Sequence, residues 1–327
     1  MRRLLQLELP IASPLALLLV SLLASMFSGV LGSVPATASE ESSFYLPDFH
    51  AETIYGRDSR REAYELRGNP MFDAFHDASV AMITTQHLVS AGNGNYWIRA
   101  PRFQDDKKLC SSERFLDEPT AADCSGTLVN STTVLTAGHC ITDANECRNS
   151  NFVFNYAFSR PGQVNVIVPR SEIYSCQQII YREEDSDSHP YRADFALIRL
   201  DRPVPNHRPA NLDAHHVYSV GEPLIIAGYP SGLPLKFADG VIRSIHSKKP
   251  TFDATLDAFG GNSGSPVYSL KTGAMIGVMI DGEEDYEWTG KCRVSKKCSD
   301  TGTECLGQGV VRITDILQHL TASQLPR

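Results

Sequence analysis

The chain has 327 residues, of which 42% are hydrophobic and 21% charged, and a net charge of −8. That is enough chain for one large core or two packed subdomains. An acidic sequence without basic clusters excludes nucleic acid and anionic membrane surfaces as expected partners.

The first segment reads as a secretory signal peptide over residues 1–38. Arg2 and Arg3 give a positive start, residues 15–27 an apolar core, and Ala36-Thr37-Ala38 a small-residue cleavage site before Ser39. Retention of this segment as a membrane anchor is the weaker reading, because Ser21 and Ser25 interrupt it and Gly29 and Gly32 follow it. No later stretch is apolar for the ~18 residues that a spanning helix needs. The expected location is secreted or periplasmic, without membrane association after cleavage. Loss of Arg2, Arg3 and Glu8 from a chain with 30 Lys+Arg and 38 Asp+Glu leaves a charge of −9. Eight cysteines behind an export signal imply disulfides. No C-x-x-C pair or clustered Cys/His spacing supports zinc, and no metal is expected.

Residues 39–53 open with Ser39, Glu40 and Glu41 and read as a short propeptide of a zymogen, leaving 54–327 as the folded domain. Arg60-Arg61 is a dibasic pair that could be processed, although such pairs are more often plain surface. Residues 79–83 make a first strand, and 92–119 read as loop around Cys110. Beyond Cys124, short β-type runs alternate with turns at 126–129, 133–136, 152–158, 164–168, 195–200, 223–227, 241–245, 266–268 and 274–280. Such repeated short strands without long helices between them indicate an all-β sandwich or barrel. One helix closes the chain, with Thr314 or Asp315 as cap and Ile316, Leu317 and Leu320 on its apolar face.

Three motifs carry chemistry. Thr136-Ala137-Gly138-His139-Cys140 ends a β-branched strand in small residues, so the imidazole can face a cleft, and Cys124 lies one hairpin away as the partner of Cys140. Asp194 heads the apolar strand 195–200, where a partly buried carboxylate needs a donor such as a histidine N–H. Gly260-Gly261-Asn262-Ser263-Gly264-Ser265-Pro266 leaves the Ser263 hydroxyl uncovered on a tight turn, and Gly261 can turn its backbone N–H toward whatever that hydroxyl attacks, the geometry of a nucleophile beside an oxyanion hole. Singly, each is more often a turn residue. The order His, Asp, Ser also argues against an α/β-hydrolase, which runs Ser, Asp, His and wants glycine where Ser265 stands.

Together these motifs resemble the trypsin-like (chymotrypsin-fold) serine proteases. Within that family the chain is most similar to the bacterial glutamyl endopeptidase (V8-protease-like) branch. The likeness is carried by Gly261 to Pro266, by Ile54-Tyr55-Gly56-Arg57-Asp58-Ser59-Arg60 near the domain start, and by Gly228-Tyr229-Pro230. The resemblance implies two packed antiparallel β-barrels with a C-terminal helix. It further implies Ser263 as nucleophile, His139 as base then acid, Asp194 as orienting carboxylate and the N–H groups of Gly261 and Ser263 as oxyanion hole, acting without cofactor on protein or peptide substrates. A monomer is expected.

The chain departs from the family pattern in two respects. Asn262 stands where animal trypsins carry the aspartate that pairs with a new N-terminal ammonium, so that ion pair cannot form. Glutamate selection in the branch uses a threonine and a histidine where this chain has Ala258 and Met279, neither of which hydrogen-bonds a carboxylate. Asp257 falls where trypsins hold the aspartate that pairs with Arg or Lys substrates, and Asp281, Glu283, Glu284 and Asp285 add negative charge near the pocket rim. The substrate pocket is therefore expected at Asp257, Ala258 and Met279, with a basic P1 residue. The rival reading is a catalytically inactive homologue that binds a partner; its usual mark, a missing triad residue, is absent.

Lesser features are structural by default. Asn130-Ser131-Thr132 is a glycosylation sequon at a turn, the acidic run 183–187 is a solvated loop before it is a calcium site, and His215-His216 lacks partner ligands. Cys147 with Cys176 is a reasonable second bridge, and Cys292, Cys298 and Cys305 crowd one loop.

Overall fold

The computed structural model describes residues 56–184, 193–282, 284–299 and 305–318. The expected signal peptide and propeptide, Ile54 and Tyr55, the end of the acidic run from Asp185, Glu283 and Leu320 lie outside the described residues.

Two closed six-stranded antiparallel barrels form the molecule. The first runs Phe195–Leu200, Thr133–Thr136, Ala122–Asn130, Ser79–Thr84, Ser150–Val153 and Ile173–Glu183 around the barrel. The second runs Lys236–Ile245, Pro223–Gly228, Pro266–Ser269, Met275–Asp281, Gln308–Arg312 and Thr251–Ala254, closing where the last pairs with the first. A two-residue strand, Arg61–Glu62, adds to the outside of the second barrel by pairing with Lys236 and Phe237.

Period-two alternation builds two cores from the same strands. Val80, Met82, Val134 and Ile198 fill the first barrel with Leu128 and Phe152. Their neighbours Ala81, Ile83, Leu135 and Leu197 face the other way, into a cluster shared with Ile225, Ala227, Phe237 and Val278 of the second barrel. Each such fully buried side chain contributes about 1.5–3 kcal/mol, so the seam between barrels is as apolar as their interiors. Leu224, Ile226, Phe252 and Ile276 fill the second barrel.

The structure departs from the sequence expectation at several elements. Residues 152–158 alternate, but the strand stops at Val153; Asn155 turns the chain with φ 58°, and Tyr156 is held by its hydroxyl donating to the Pro119 carbonyl at 2.6 Å. Loop was expected over 92–119, yet Leu88–Gly92, Asn95–Ile98 and Val166–Pro169 form a small sheet. A helix at Pro70–Ala78, capped by Asn69 and opened by Pro70, turns Phe72, Phe75 and Ala78 inward. The final helix spans Ile313–Gln318, so Thr314 and Asp315 lie in its first turn, where Asp315 accepts from Arg312 Nε at 2.7 Å instead of capping. Disulfides join Cys124–Cys140, Cys147–Cys176, Cys110–Cys292 and Cys298–Cys305. Among the described residues no helix is long and apolar enough to cross a membrane.

Candidate active site

The first barrel supplies the imidazole and its carboxylate. Strand Thr133–Thr136 ends in a single 3-10 turn, Gly138–Cys140, which lifts His139 out of the barrel wall to stand half-exposed. Strand Phe195–Leu200 pairs with it, Ala196 opposite Thr136, and that register sets Asp194 under the histidine. Asp194 Oδ1 accepts the His139 backbone N–H at 3.0 Å, and Oδ2 stands 2.7 Å from Nδ1. With Nδ1–H donating to the carboxylate, Nε2 is left as the acceptor. The hydrogen bond to Asp194 is the foremost cause that holds the His139 pKa above its ordinary value of 6.5, against the opposing effect of burial.

The second barrel supplies the serine turn, between strands Thr251–Ala254 and Pro266–Ser269. Gly261 and Gly264 have φ of 92° and 86°, the left-handed region that side chains avoid. Space is closed there as well: a Cβ on Gly264 would stand 2.1 Å from the Ser125 carbonyl oxygen, and one on Gly261 2.6 Å from that of Tyr229. The turn is closed by Asn262 N–H to Phe259 O at 2.9 Å and Ser265 N–H to Asn262 O at 2.8 Å. Asn262 is buried and its amide oxygen accepts from the Ser265 hydroxyl at 3.2 Å, so it is satisfied locally and calls for no ammonium partner. Among the described residues neither the Gly261 nor the Ser263 N–H has a backbone acceptor. The two halves meet where Ser125 N–H donates to Ser263 O at 2.8 Å and where Cys140 Sγ lies 3.6 Å from that same oxygen.

Beside Ser263 opens a cavity of about 320 Å³ walled by Phe259, Met279, Asp281, Glu284, Asp285 and Gln308. Of the three expected pocket residues only Met279 lines it. Ala258 lies behind the wall in the second barrel's core and contributes its carbonyl as acceptor for Gln308 Nε2 at 3.4 Å. Asp257 needs a correction: it is buried and turned away from the cavity, accepting the Ser59 backbone N–H at 2.6 Å and the Ser59 hydroxyl at 2.7 Å. A buried carboxylate needs donors, and the N-terminal segment supplies them. Gln308, which motif reading passes over, reaches the cavity because strand Gln308–Arg312 pairs beside Met275–Asp281, with Gly309 opposite Asp281. No local pattern signals that neighbourhood. Its Oε1 is buried with no hydrogen-bond partner among the described residues. Burial pushes both the Asp281 and the Asp285 carboxyls above the usual range.

Cys124, His139 and Cys140 lie close enough together to be considered as metal donors. The two sulfurs are bonded to each other, so the group is a bridge beside an imidazole.

The comparisons with known proteins agree with this architecture. The trypsin-like peptidase domain model matches residues 124–278. Glutamyl endopeptidase of Bacillus licheniformis is 28% identical over 155 residues, 44% of this chain and 45% of that protein. The similarity thus spans less than half the length of this curated relative. Over residues 124–278, within the double barrel that carries them, the chain is similar to the trypsin-like peptidase domain, and over part of its length to a glutamyl endopeptidase.

Proposed function

We propose that the protein is a secreted serine endopeptidase that cleaves polypeptides after basic residues through Ser263, His139 and Asp194. The observation that carries the reading is the doubly bonded His139–Asp194 pair, whose neighbour Cys140 has its Sγ 3.6 Å from the Ser263 carbonyl oxygen, together with a serine turn whose two N–H groups have no backbone acceptor among the described residues. His139 Nε2 takes the Ser263 proton as Oγ attacks the scissile carbonyl, and Asp194 stabilises the imidazolium that forms. The Gly261 and Ser263 N–H groups hold the tetrahedral oxygen. Collapse passes the proton from His139 to the leaving amine and leaves an acyl-enzyme, which water hydrolyses by the same sequence.

The basic P1 preference rests on the cavity beside Ser263. Asp281, Glu284 and Asp285 wall it, and Gln308 Oε1, which has no hydrogen-bond partner among the described residues, adds an acceptor. A cationic side chain would supply both the donor and the charge that this wall lacks. Neither Ala258 nor Met279 offers a donor for glutamate, the residue in the relative's name.

A fluorophosphonate probe should label the wild type and leave Ser263→Ala unlabelled. Peptides with Lys or Arg at P1 should be cut in preference to their Glu counterparts. An unlabelled wild type would make the chain an inactive homologue, and a preference for Glu would remove the basic reading alone.

A further inference from the structure

The tripeptide Asp58-Ser59-Arg60 crosses from the N-terminal segment to the back of the cavity wall and touches it at two points. Ser59 grips Asp257 through its N–H and its hydroxyl. Arg60, 1% exposed, lays its guanidinium 4.2 Å over the Phe259 ring, with Phe115 also within 5.2 Å. The grips flank Ala258, and Phe259 itself lines the cavity beside Ser263. Phe259 also packs its ring 5.5 Å from Tyr286, and its carbonyl accepts the Asn262 N–H that closes the serine turn.

The strap is itself braced. Asp58 takes Arg60 Nε at 2.9 Å and Nη2 at 2.7 Å, a fork that fixes the guanidinium plane. Arg114 donates to the Asp58 carbonyl at 3.0 Å and the Arg60 carbonyl at 2.7 Å, tying both ends of the tripeptide. Strand Arg61–Glu62 then continues into the second barrel. Only arginine both forks onto a carboxylate and lies flat on a ring. A buried, neutralised cation against an aromatic wall is more than a surface segment needs.

We propose that Asp58-Ser59-Arg60 is a strap that sets the substrate pocket, with Arg60 a positioning residue that acts through Phe259. The proposal rests on the reading of the cavity beside Ser263 as the P1 pocket. Asp257, in this arrangement, belongs to the strap's anchor and not to substrate. Arg60 touches neither substrate nor reacting atoms; it holds the wall on which a P1 side chain lies.

Replacing Arg60 alone removes the forked partner of Asp58 and leaves that half-buried carboxylate only Arg114 Nη1 at 3.2 Å, so lost stability would be mixed with lost positioning. The informative variant is Asp58→Asn with Arg60→Met, which removes both charges and keeps the stem, accompanied by Arg60→Lys. In a Ser263→Ala background, the affinity for a peptide with Lys at P1 is measured by calorimetry. In the active background, phosphonate labelling is measured, since it needs the triad and oxyanion N–H groups but no P1 side chain. The double variant should bind the peptide about tenfold more weakly or worse, the scale on which small misplacements act. Its labelling should stay within about threefold of wild type, because the serine turn keeps its own hydrogen bonds. Arg60→Lys should fall between the two.

Unchanged peptide affinity in the double variant overturns the proposal, as does loss of affinity and labelling by one common factor. Absence of peptide binding in the Ser263→Ala parent overturns it together with the basic P1 reading. An unlabelled wild type whose Ser263→Ala form still binds the peptide, and loses it with the strap, overturns the catalytic reading and supports the strap.

Discussion

Asp194 accepts from His139 twice, from the backbone N–H and from Nδ1, and the two bonds have different consequences. The backbone bond fixes where the 3-10 turn sits. The side-chain bond selects the tautomer and favours the protonated ring, which raises the His139 pKa. Since the base must be neutral to accept the serine proton, the acid limb of kcat/KM should lie above pH 6.5, the ordinary histidine value. Asp194→Asn can keep both bonds geometrically while presenting an amide N–H, and so strands the ring in the wrong tautomer. Its kcat should fall by about 10⁴ with the melting temperature little changed. Steady-state rates across pH check both, and a loss under tenfold would remove Asp194 from the mechanism. The residues proposed as the triad could be picked out in the sequence because each sits in a local motif: small residues around His139, an apolar strand after Asp194, glycines around Ser263. Asp257 was misread because its partner, Ser59, lies 198 positions away, and no local pattern announces it. Gln308 was missed for the same reason, since only strand pairing brings it beside Asp281.

At the scale of elements, the short strand Arg61–Glu62 brings a charge into the protein. Lys236, opposite Glu62, is buried with its Nζ 3.1 Å from Glu62, 2.6 Å from Glu118 and 3.1 Å from the Pro234 carbonyl. One cation between two carboxylates can neutralise only one of them. Burial, foremost, pushes Glu118 up to about 8; the Glu62 charge adds to this, and Lys236 opposes it. The folded state therefore holds a proton that the unfolded chain releases near 4.5. Glu118's contribution to stability is full below pH 4.5 and is lost as pH rises towards about 8. Glu118→Gln keeps the shape and cannot ionise, so its stability should vary less across that window. At pH 8 it should melt about 2–4 °C above the parent, the shift made by roughly 1 kcal/mol in a domain of this size. Scanning calorimetry at pH 5 and pH 8 in the Ser263→Ala background, where self-digestion is absent, tests this. Equal pH dependence in the two chains would contradict it. Period-two alternation found most barrel strands, yet Ile173–Glu183 escaped it. That strand carries Gln177 and Gln178 exposed in its middle, because its pairing with Phe195–Leu200 shifts register twice, leaving Gln177 and Ile180 unopposed and breaking the alternation. The helix at Pro70–Ala78 had a readable signal in Asn69-Pro70, a cap followed by proline, but no long apolar face to draw attention to it.

For the molecule as a whole, the proposed chemistry depends on the register of two barrels, since His139 and Asp194 belong to one and Ser263 to the other. The apolar seam brings the barrels together but is non-directional, and it leaves small sliding displacements cheap. Direction comes from Ser125, fully buried on strand Ala122–Asn130 of the first barrel. Its N–H donates to the Ser263 carbonyl at 2.8 Å, and its hydroxyl donates to the Gly261 carbonyl at 2.7 Å while accepting the Tyr229 N–H at 3.2 Å. Three bonds from one residue thus pin Gly261, Ser263 and Tyr229 of the second barrel to the strand that carries Cys124, and through the Cys124–Cys140 bridge to the turn of His139. Ser125→Ala keeps the backbone bond and removes the other two, which takes the partners from a half-buried carbonyl and a buried N–H. That should cost about 1–3 kcal/mol of stability. The effect on rate should exceed what stability explains: the serine turn loses its tie to the imidazole's barrel, and misplacement by a fraction of an ångström costs about 10- to 100-fold in kcat. Because the loss concerns alignment and not the P1 wall, KM should change little, the reverse of the split expected for the strap variant. Active-site titration followed by kcat and KM on a Lys-P1 peptide, read beside the melting temperature, distinguishes the two. A Ser125→Ala enzyme with full kcat per titrated site would mean that the apolar seam alone fixes the register.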